Sequence, residues 1–184
     1  MDKKLYTIIV YSENYAGILS QIASVFTRQQ VNIESFNVSA SSVKDIHRYT
    51  ITAWSKEEQV VKITKQIERK IDVVKADYYV DEQLFIHETA LYKISTPVLL
   101  ENPELSRIIR RSGVRVLEVN STYSTLQIAG MSDDLHNLYN SLNRYGCLLQ
   151  YSRSGRVAVT RSMEEPLAGF LAKTGLKNMD TDND

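Results

Sequence analysis

The chain has 184 residues, 22 basic and 22 acidic side chains, three histidines and a single cysteine. Balanced charge gives no electrostatic reason to expect nucleic acid, and one cysteine excludes an internal disulfide. No N-terminal apolar run has the form of a signal peptide or a membrane span, so a cytoplasmic protein without a membrane segment is expected.

In chain order, Leu5-Tyr6-Thr7-Ile8-Ile9-Val10-Tyr11 is a β-branched and aromatic run with no polar face, which predicts a buried strand over 4–11. Ile18, Leu19, Ile22, Ala23 and Phe26 then recur at helical spacing and predict a helix over 17–29. Strands over 32–39 and 46–54, a helix over 56–70 and a strand over 72–80 follow. The order then repeats: strand 84–96, helix 103–112, strands 114–120 and 123–130, helix 133–145 and strand 147–159.

Helix boundaries carry local signals. Ser55 with Glu58 reads as a capping box, Asn102-Pro103 as a cap followed by proline at the first helical position, and Ser132 with Asp133-Asp134 as a third start. Gly113 and Gly146 suit helix stops. Each βαββαβ set folds most simply as a four-stranded antiparallel sheet with two helices on one face. With only about 75–80 residues per set, one sheet face must find cover elsewhere, and dimerisation is the natural source.

Asn14 and Gly17 fall on the first strand-to-helix turn, where unpaired helix amides favour an anion such as a carboxylate and glycine admits a ligand close to the backbone. Taken alone, the pair also fits an ordinary turn.

The order and spacing of several segments add to this reading. Glu13-Asn14-x-x-Gly17-Ile18-Leu19-Ser20-x-Ile22, then Phe26-Thr27-Arg28 and Asn32-Ile33-Glu34-Ser35, resemble the opening of the small, regulatory subunit of acetolactate synthase, also called acetohydroxyacid synthase. Ile71-Asp72-Val73, His87-Glu88, Leu91-Tyr92-Lys93-Ile94, Val116-Leu117-Glu118-Val119, Gln127-Ile128-Ala129-Gly130 and Ser152-Arg153-Ser154-Gly155, ending at Arg161, extend the resemblance over residues 3–161. It implies an α+β chain of two tandem ferredoxin-like domains: an ACT domain over 1–80 for effector binding and dimerisation, and a C-terminal domain over 81–161. A polar, mobile tail is expected over 162–184, with Leu167, Phe170 and Leu171 able to dock as a short amphipathic turn and the last ten residues mobile.

By the same resemblance, the effector site falls on Asn14, Gly17, Ile18 and Leu19 of one chain and on Asn32 and Ile33 of its partner in a homodimer, with valine or another branched-chain amino acid as effector. The chain would be non-catalytic, would bind the large catalytic subunit, raise its activity and impose feedback inhibition by valine in branched-chain amino-acid biosynthesis. Thiamine diphosphate, magnesium and FAD would belong to that large subunit. The chain departs from the family pattern in three places: Gln30 stands where Gly is common, Tyr15-Ala16 where a small residue or Pro is frequent, and His87 where Arg is frequent.

No other chemistry is indicated. His47, His87 and His136 are far apart in sequence and Cys147 has no neighbouring ligand, so no metal site is expected. No nucleophile elbow or phosphate-binding loop is present, and Ser152-Arg153-Ser154-Gly155-Arg156 lacks the glycine spacing and lysine of the latter. Glu57-Glu58 and Asp133-Asp134 sit at helix starts, where the dipole alone accounts for them. Arg107, Arg110, Arg111 and Arg115 read as a solvated helix face. A free-standing ACT-type sensor of another enzyme or of a transcription regulator is the alternative; a small acyl-phosphate hydrolase would need an anion-binding arginine and an activating polar residue at one loop, and the first loop of this chain contains no Arg.

Overall fold

The computed structural model describes residues 3–163 and 166–174. The first set of elements is β1 (Lys4–Glu13), α1 (Ile18–Arg28), β2 (Ile33–Ala40), β3 (Ile46–Ser55), α2 (Glu57–Glu68) and β4 (Val73–Tyr79). A 3-10 turn at Asp81–Gln83 leads into β5 (Leu84–Ser95), α3 (Thr96–Glu101), α4 (Pro103–Arg111), β6 (Arg115–Val119), β7 (Tyr123–Gly130), α5 (Ser132–Arg144) and β8 (Leu148–Arg153). The chain continues with β9 (Val157–Thr160) and α6 (Pro166–Thr174).

Both expected repeats are present. The first sheet has the order β2-β3-β1-β4 and the second β6-β7-β5-β8, the same topology twice; the ladders that join these strands are antiparallel. The second sheet has a fifth strand that the sequence reading lacks, because β9 pairs with β5. The expected strand over 147–159 is broken at Gly155, whose φ of 76° turns the chain between β8 and β9.

The backbone divides into two compact units, Met1–Phe85 with Arg156–Asp184, and Ile86–Gly155. The sequence-based division at 80 and 161 therefore misses the return of the chain to the first unit at Arg156. In the first unit, Tyr6, Ile8 and Val10 pack with Ile22, Val25 and Phe26 of α1 and Val60, Ile63 and Ile67 of α2, the periodicity of each helix turning one stripe onto the sheet. The alternate residues Thr7, Ile9 and Tyr11 are buried as well. Their cover is the returning chain: Arg156 donates to the Thr7 hydroxyl at 3.4 Å and to both Asp81 carboxylate oxygens at 2.6 and 3.2 Å. Arg48 donates to the carbonyl of Ala158, and Lys75 donates to that of Pro166 at 3.4 Å. Residues 166–174 thus form a helix and not a mobile tail, and Leu167 and Leu171 are buried. The last ten residues, 175–184, lie outside the described residues.

In the second unit Ala90, Tyr92 and Ile94 of β5 pack with Leu105 and Ile109 of α4, Leu126 and Ile128 of β7 and Leu135, Leu138 and Leu142 of α5. Glu88 is buried, accepts from the Ser132 hydroxyl at 2.5 Å and lies 3.6 Å from Arg153. Two segments quoted for the resemblance, His87-Glu88 and Ser152-Arg153, meet in this ion pair.

The helix starts differ in detail from their expected caps. Ser55 is the buried last residue of β3 and its hydroxyl donates to the Lys56 carbonyl at 3.2 Å, so Lys56 takes the cap position of α2 without a side-chain cap. Asn102 precedes Pro103 as expected, but its amide donates to Val98 at 2.8 Å, satisfying a carbonyl of the preceding short helix. Ser132 is the first helical residue rather than the cap; the Asp134 carboxylate accepts from the Met131 amide at 3.3 Å and closes that end.

Candidate functional site

The first loop joins the end of β1 to α1 and is pinned by backbone bonds on both sides: the Glu13 amide donates to Asp72 at 3.0 Å and the Asn14 amide to Asp45 at 2.9 Å. Tyr15 turns back onto the Glu13 carbonyl at 2.9 Å. Gly17 takes the cap position of α1 with φ 96° and supplies no side-chain cap. A side chain there would meet nothing within 4 Å. Glycine is required by the left-handed backbone, not by crowding, and the space in front of the helix start is open.

The amide of Ile18 bonds to Tyr15 at 3.3 Å, so the open donors of this helix start are its neighbours. The Ile18 side chain is 3 % exposed and belongs to the core, whereas Leu19 is 50 % exposed beside the loop. Asn14 is exposed on the loop. The structure therefore brings together Asn14, Gly17 and Leu19 as accessible groups and assigns Ile18 to the support beneath them.

Asn32 and Ile33 lie elsewhere in the same chain. The ladder sets Ile33 opposite Ala53, and Ala53 opposite Tyr6, while Glu13 faces Ile46 at the other end of β1. Seven residues of strand separate Tyr6 from Glu13, roughly 23 Å at about 3.3 Å per residue. Asn32 is exposed and Ile33 is half-buried against the core. Within one chain the two asparagines occupy opposite ends of the sheet, and β2, which carries the second set, is an outer strand.

Between them, at the stop of α1, Gln30 has φ 53°. The position where the resemblance favours Gly does demand a left-handed backbone, and this chain fills it with a residue that resists that conformation.

The sequence reading does not single out Arg48, which faces Tyr11 across β1 and β3 with its guanidinium 6.0 Å from the ring. It stands on a strand next to His47 without a local motif, and it is half-buried where it meets the Ala158 carbonyl of the returning chain. Among the described residues no group of three or more His, Cys, Asp or Glu is placed to hold a metal ion. No described helix is long and apolar enough to cross a membrane.

Comparison with known proteins places these features in a family context. Residues 87–162 match a family model described as the small subunit of acetolactate synthase, and residues 8–75 match the AHAS small subunit-like ACT domain. A Mycobacterium bovis acetolactate synthase small subunit is 29 % identical over 161 residues, covering 88 % of this chain and 95 % of that protein. The Bacillus subtilis acetolactate synthase small subunit is 28 % identical over 165 residues, 89 % of this chain and 93 % of its own length. The crystal structure of the Thermotoga maritima small subunit superposes with a TM-score of 0.77 over 86 % of this chain and 98 % of that one; at 21 % identity this likeness speaks to the fold.

Proposed function

Because the chain belongs to the family of acetolactate synthase small subunits, and is thus a regulatory subunit with a catalytic large subunit as partner, we propose that it activates that large subunit and transmits feedback inhibition by valine. The effector site is divided between two copies. Asn14, Gly17 and Leu19 of one protomer, held on Ile18, face Asn32 and Ile33 of the partner subunit across a homodimer. The observation that carries this reading is the placement of the two sets at opposite ends of one sheet whose outer strand bears the second set.

In the proposed dimer β2 pairs antiparallel with its copy about a two-fold axis, in the register that lays the Ile33 end of one strand against the Ala40 end of the other. Ala40 pairs with His47, next to the Ile46 that faces Glu13, so each first loop is brought to the level of the other chain's Asn32. The effector carboxylate then meets the open amides at the start of α1, the two asparagine side chains bond its polar groups, and Ile33 and Leu19 wall its aliphatic part. Binding across the interface favours one placement of the subunits over others, which is how occupancy reaches the catalytic partner. Thiamine diphosphate, magnesium and FAD are held by the large subunit and not by this chain. The match of residues 87–162 to the small-subunit model favours this reading over a free-standing sensor.

Acetolactate formation by the large subunit alone, with this chain, and with this chain plus valine tests the proposal. Stimulation reversed by valine is expected. Asn14→Ala should retain stimulation but need about tenfold more valine, the effect of one lost bond to a charged ligand. An unchanged valine response in that variant would remove the site from the first loop, and absence of stimulation would refute activation.

A further inference from the structure

In the second unit a cavity of about 480 Å³ lies between the stop of α4 and the first half of α5, over the end of β7. Asp134, Asn137 and Ser141 line it from successive turns of one face of α5, and Arg111 and Ser112 line it from the end of α4. The Asp134 carboxylate is held in place. One of its oxygens accepts from the Met131 amide at 3.3 Å, and glycine at 130 leaves that oxygen room, since a side chain there would meet it at 3.2 Å. Arg111 lines the same cavity without forming an ion pair to Asp134, and among the described residues neither its guanidinium nor the Asn137 side-chain amide has a partner. Both hydroxyls have committed their protons: Ser112 donates to Ile108 and Ser141 to Asn137, each to the carbonyl one turn back at 2.9 Å, so each offers the cavity only lone pairs.

The lining thus carries one cation and one anion that do not neutralise each other, together with hydroxyls that can only accept. A carboxylate matches the first, and an ammonium, with three N–H donors, matches the anion and the hydroxyls together. We infer that this cavity is a binding site for a small zwitterionic α-amino acid with an uncharged polar side chain. The ligand carboxylate accepts from Arg111, and its ammonium donates to Asp134 and to a serine hydroxyl. Both charges of the lining are then used, which leaves the ligand side chain neutral. Asn137, able to donate and to accept, pairs with a side-chain amide, and Ile128 and Leu138 lie beneath the methylenes. At about 30 Å³ per water the cavity holds roughly sixteen waters, room for a ligand of about ten non-hydrogen atoms with a few waters beside it. None of these residues belongs to the effector site proposed above, so either site can fail without the other.

The probe is L-glutamine, titrated into the full-length chain at neutral pH and followed by calorimetry and by saturation transfer to its methylene protons. Two counterparts each lack one charge: 4-carbamoylbutanoate has no ammonium and L-glutamine α-amide has no carboxylate. Saturable binding of L-glutamine below about 10 mM is expected, with each counterpart about tenfold weaker or worse. Arg111→Gln and Asp134→Asn should each weaken binding by at least about tenfold, while Asn14→Ala should change it by less than about twofold. Since Asp134 also closes the start of α5, Ser141→Trp serves as a further variant that fills the space without touching either charge; its affinity should be lost while circular dichroism stays native. Equal affinity in Arg111→Gln, Asp134→Asn or Ser141→Trp, equal affinity for either counterpart, loss of binding in Asn14→Ala, or no saturation by about 10 mM would each overturn the inference.

Discussion

The two sheets share one topology but differ in what covers their outer faces. β1 is buried at seven consecutive positions, Tyr6 to Ser12, whereas β5 alternates, its buried residues facing the helices and Leu91 left 42 % exposed on the other side. The outer strands differ likewise: β6 is exposed at all five positions and β2 at about half of its own. Two βαββαβ units with similar helix-side cores can therefore have different second faces, and the cause in the first unit is the segment from Arg156 onward. This changes the argument from size. The first sheet finds cover within its own chain, so the proposed dimer would complete a binding site, not a core.

Removing the cover is the most severe way to break this contrast. A chain ended after Gly155 loses the burial of Ile9, Tyr11, Leu167 and Leu171, each worth about 1.5–3 kcal/mol, and should cost the first unit more than about 4 kcal/mol. The chain's single tryptophan, Trp54, lies in β3 and reports that unit by fluorescence in denaturant. Hydrogen exchange in the second unit should stay protected apart from the β5 residues paired with β9; a joint collapse of both would mean that the second unit needs the same segment.

A gentler comparison truncates one outer-face residue in each sheet. Ile9→Ala should lose about 2–4 kcal/mol by cavity formation, and Leu91→Ala no more than about 0.5 kcal/mol. Similar losses in urea unfolding would mean that the outer face of the second sheet is covered in solution.

Tyr92 sharpens the comparison on the second side. Its hydroxyl donates to the Leu135 carbonyl at 2.7 Å, and burial, then the neighbouring Tyr151, raises its pKa above the ordinary tyrosine value. A group whose pKa is raised by folding is bound more tightly to its proton in the native state. Its contribution is complete below the unfolded tyrosine value near 10 and is lost as pH climbs above it. Tyr92→Phe should cost about 1 kcal/mol at neutral pH and flatten the alkaline fall in stability, measured by denaturant midpoints from pH 8 to 11. An equally steep fall in the variant would assign the alkaline transition elsewhere, Tyr79 being the first candidate, since burial and Asp77 raise its pKa too.

The smallest change concerns the left-handed residue at the stop of α1. Gln30→Gly relieves the strain of φ 53° but frees the unfolded chain, for a net gain below about 1 kcal/mol. A loss would mean that the Gln30 side chain contributes more than its backbone costs.

Sequence reading succeeds where a signal is local and periodic. Alternation and helical stripes place both βαββαβ sets, and the spacing of Leu167 and Leu171 alone marks a docking turn. It fails where partners are distant. Thr96-Pro97-Val98-Leu99-Leu100 continues directly from β5, with no glycine and only Ser95 and Thr96 at the junction, so α3 is hidden between the end of that strand and a loop; Pro97, at its first turn, marks the start. Val157-Ala158-Val159 has the composition of any strand, and nothing in it names Asp81 or Thr7 as the partners of Arg156. Asn14 and Gly17 are legible as a turn with open amides, but their distance from Asn32 depends on strand register, which one sequence does not state.

The return of the chain at Arg156 also dictates an order of synthesis. The second unit, residues 86–155, is continuous in sequence, whereas the first is interrupted by it. At about 5–20 residues per second on the ribosome, the outer face of β1 waits several seconds for its cover while the intervening unit emerges. During that interval Ile9 and Tyr11 present an apolar strand surface to the cell. The unit made first is completed last, and its dependence on chaperones during translation should exceed that of the unit made after it.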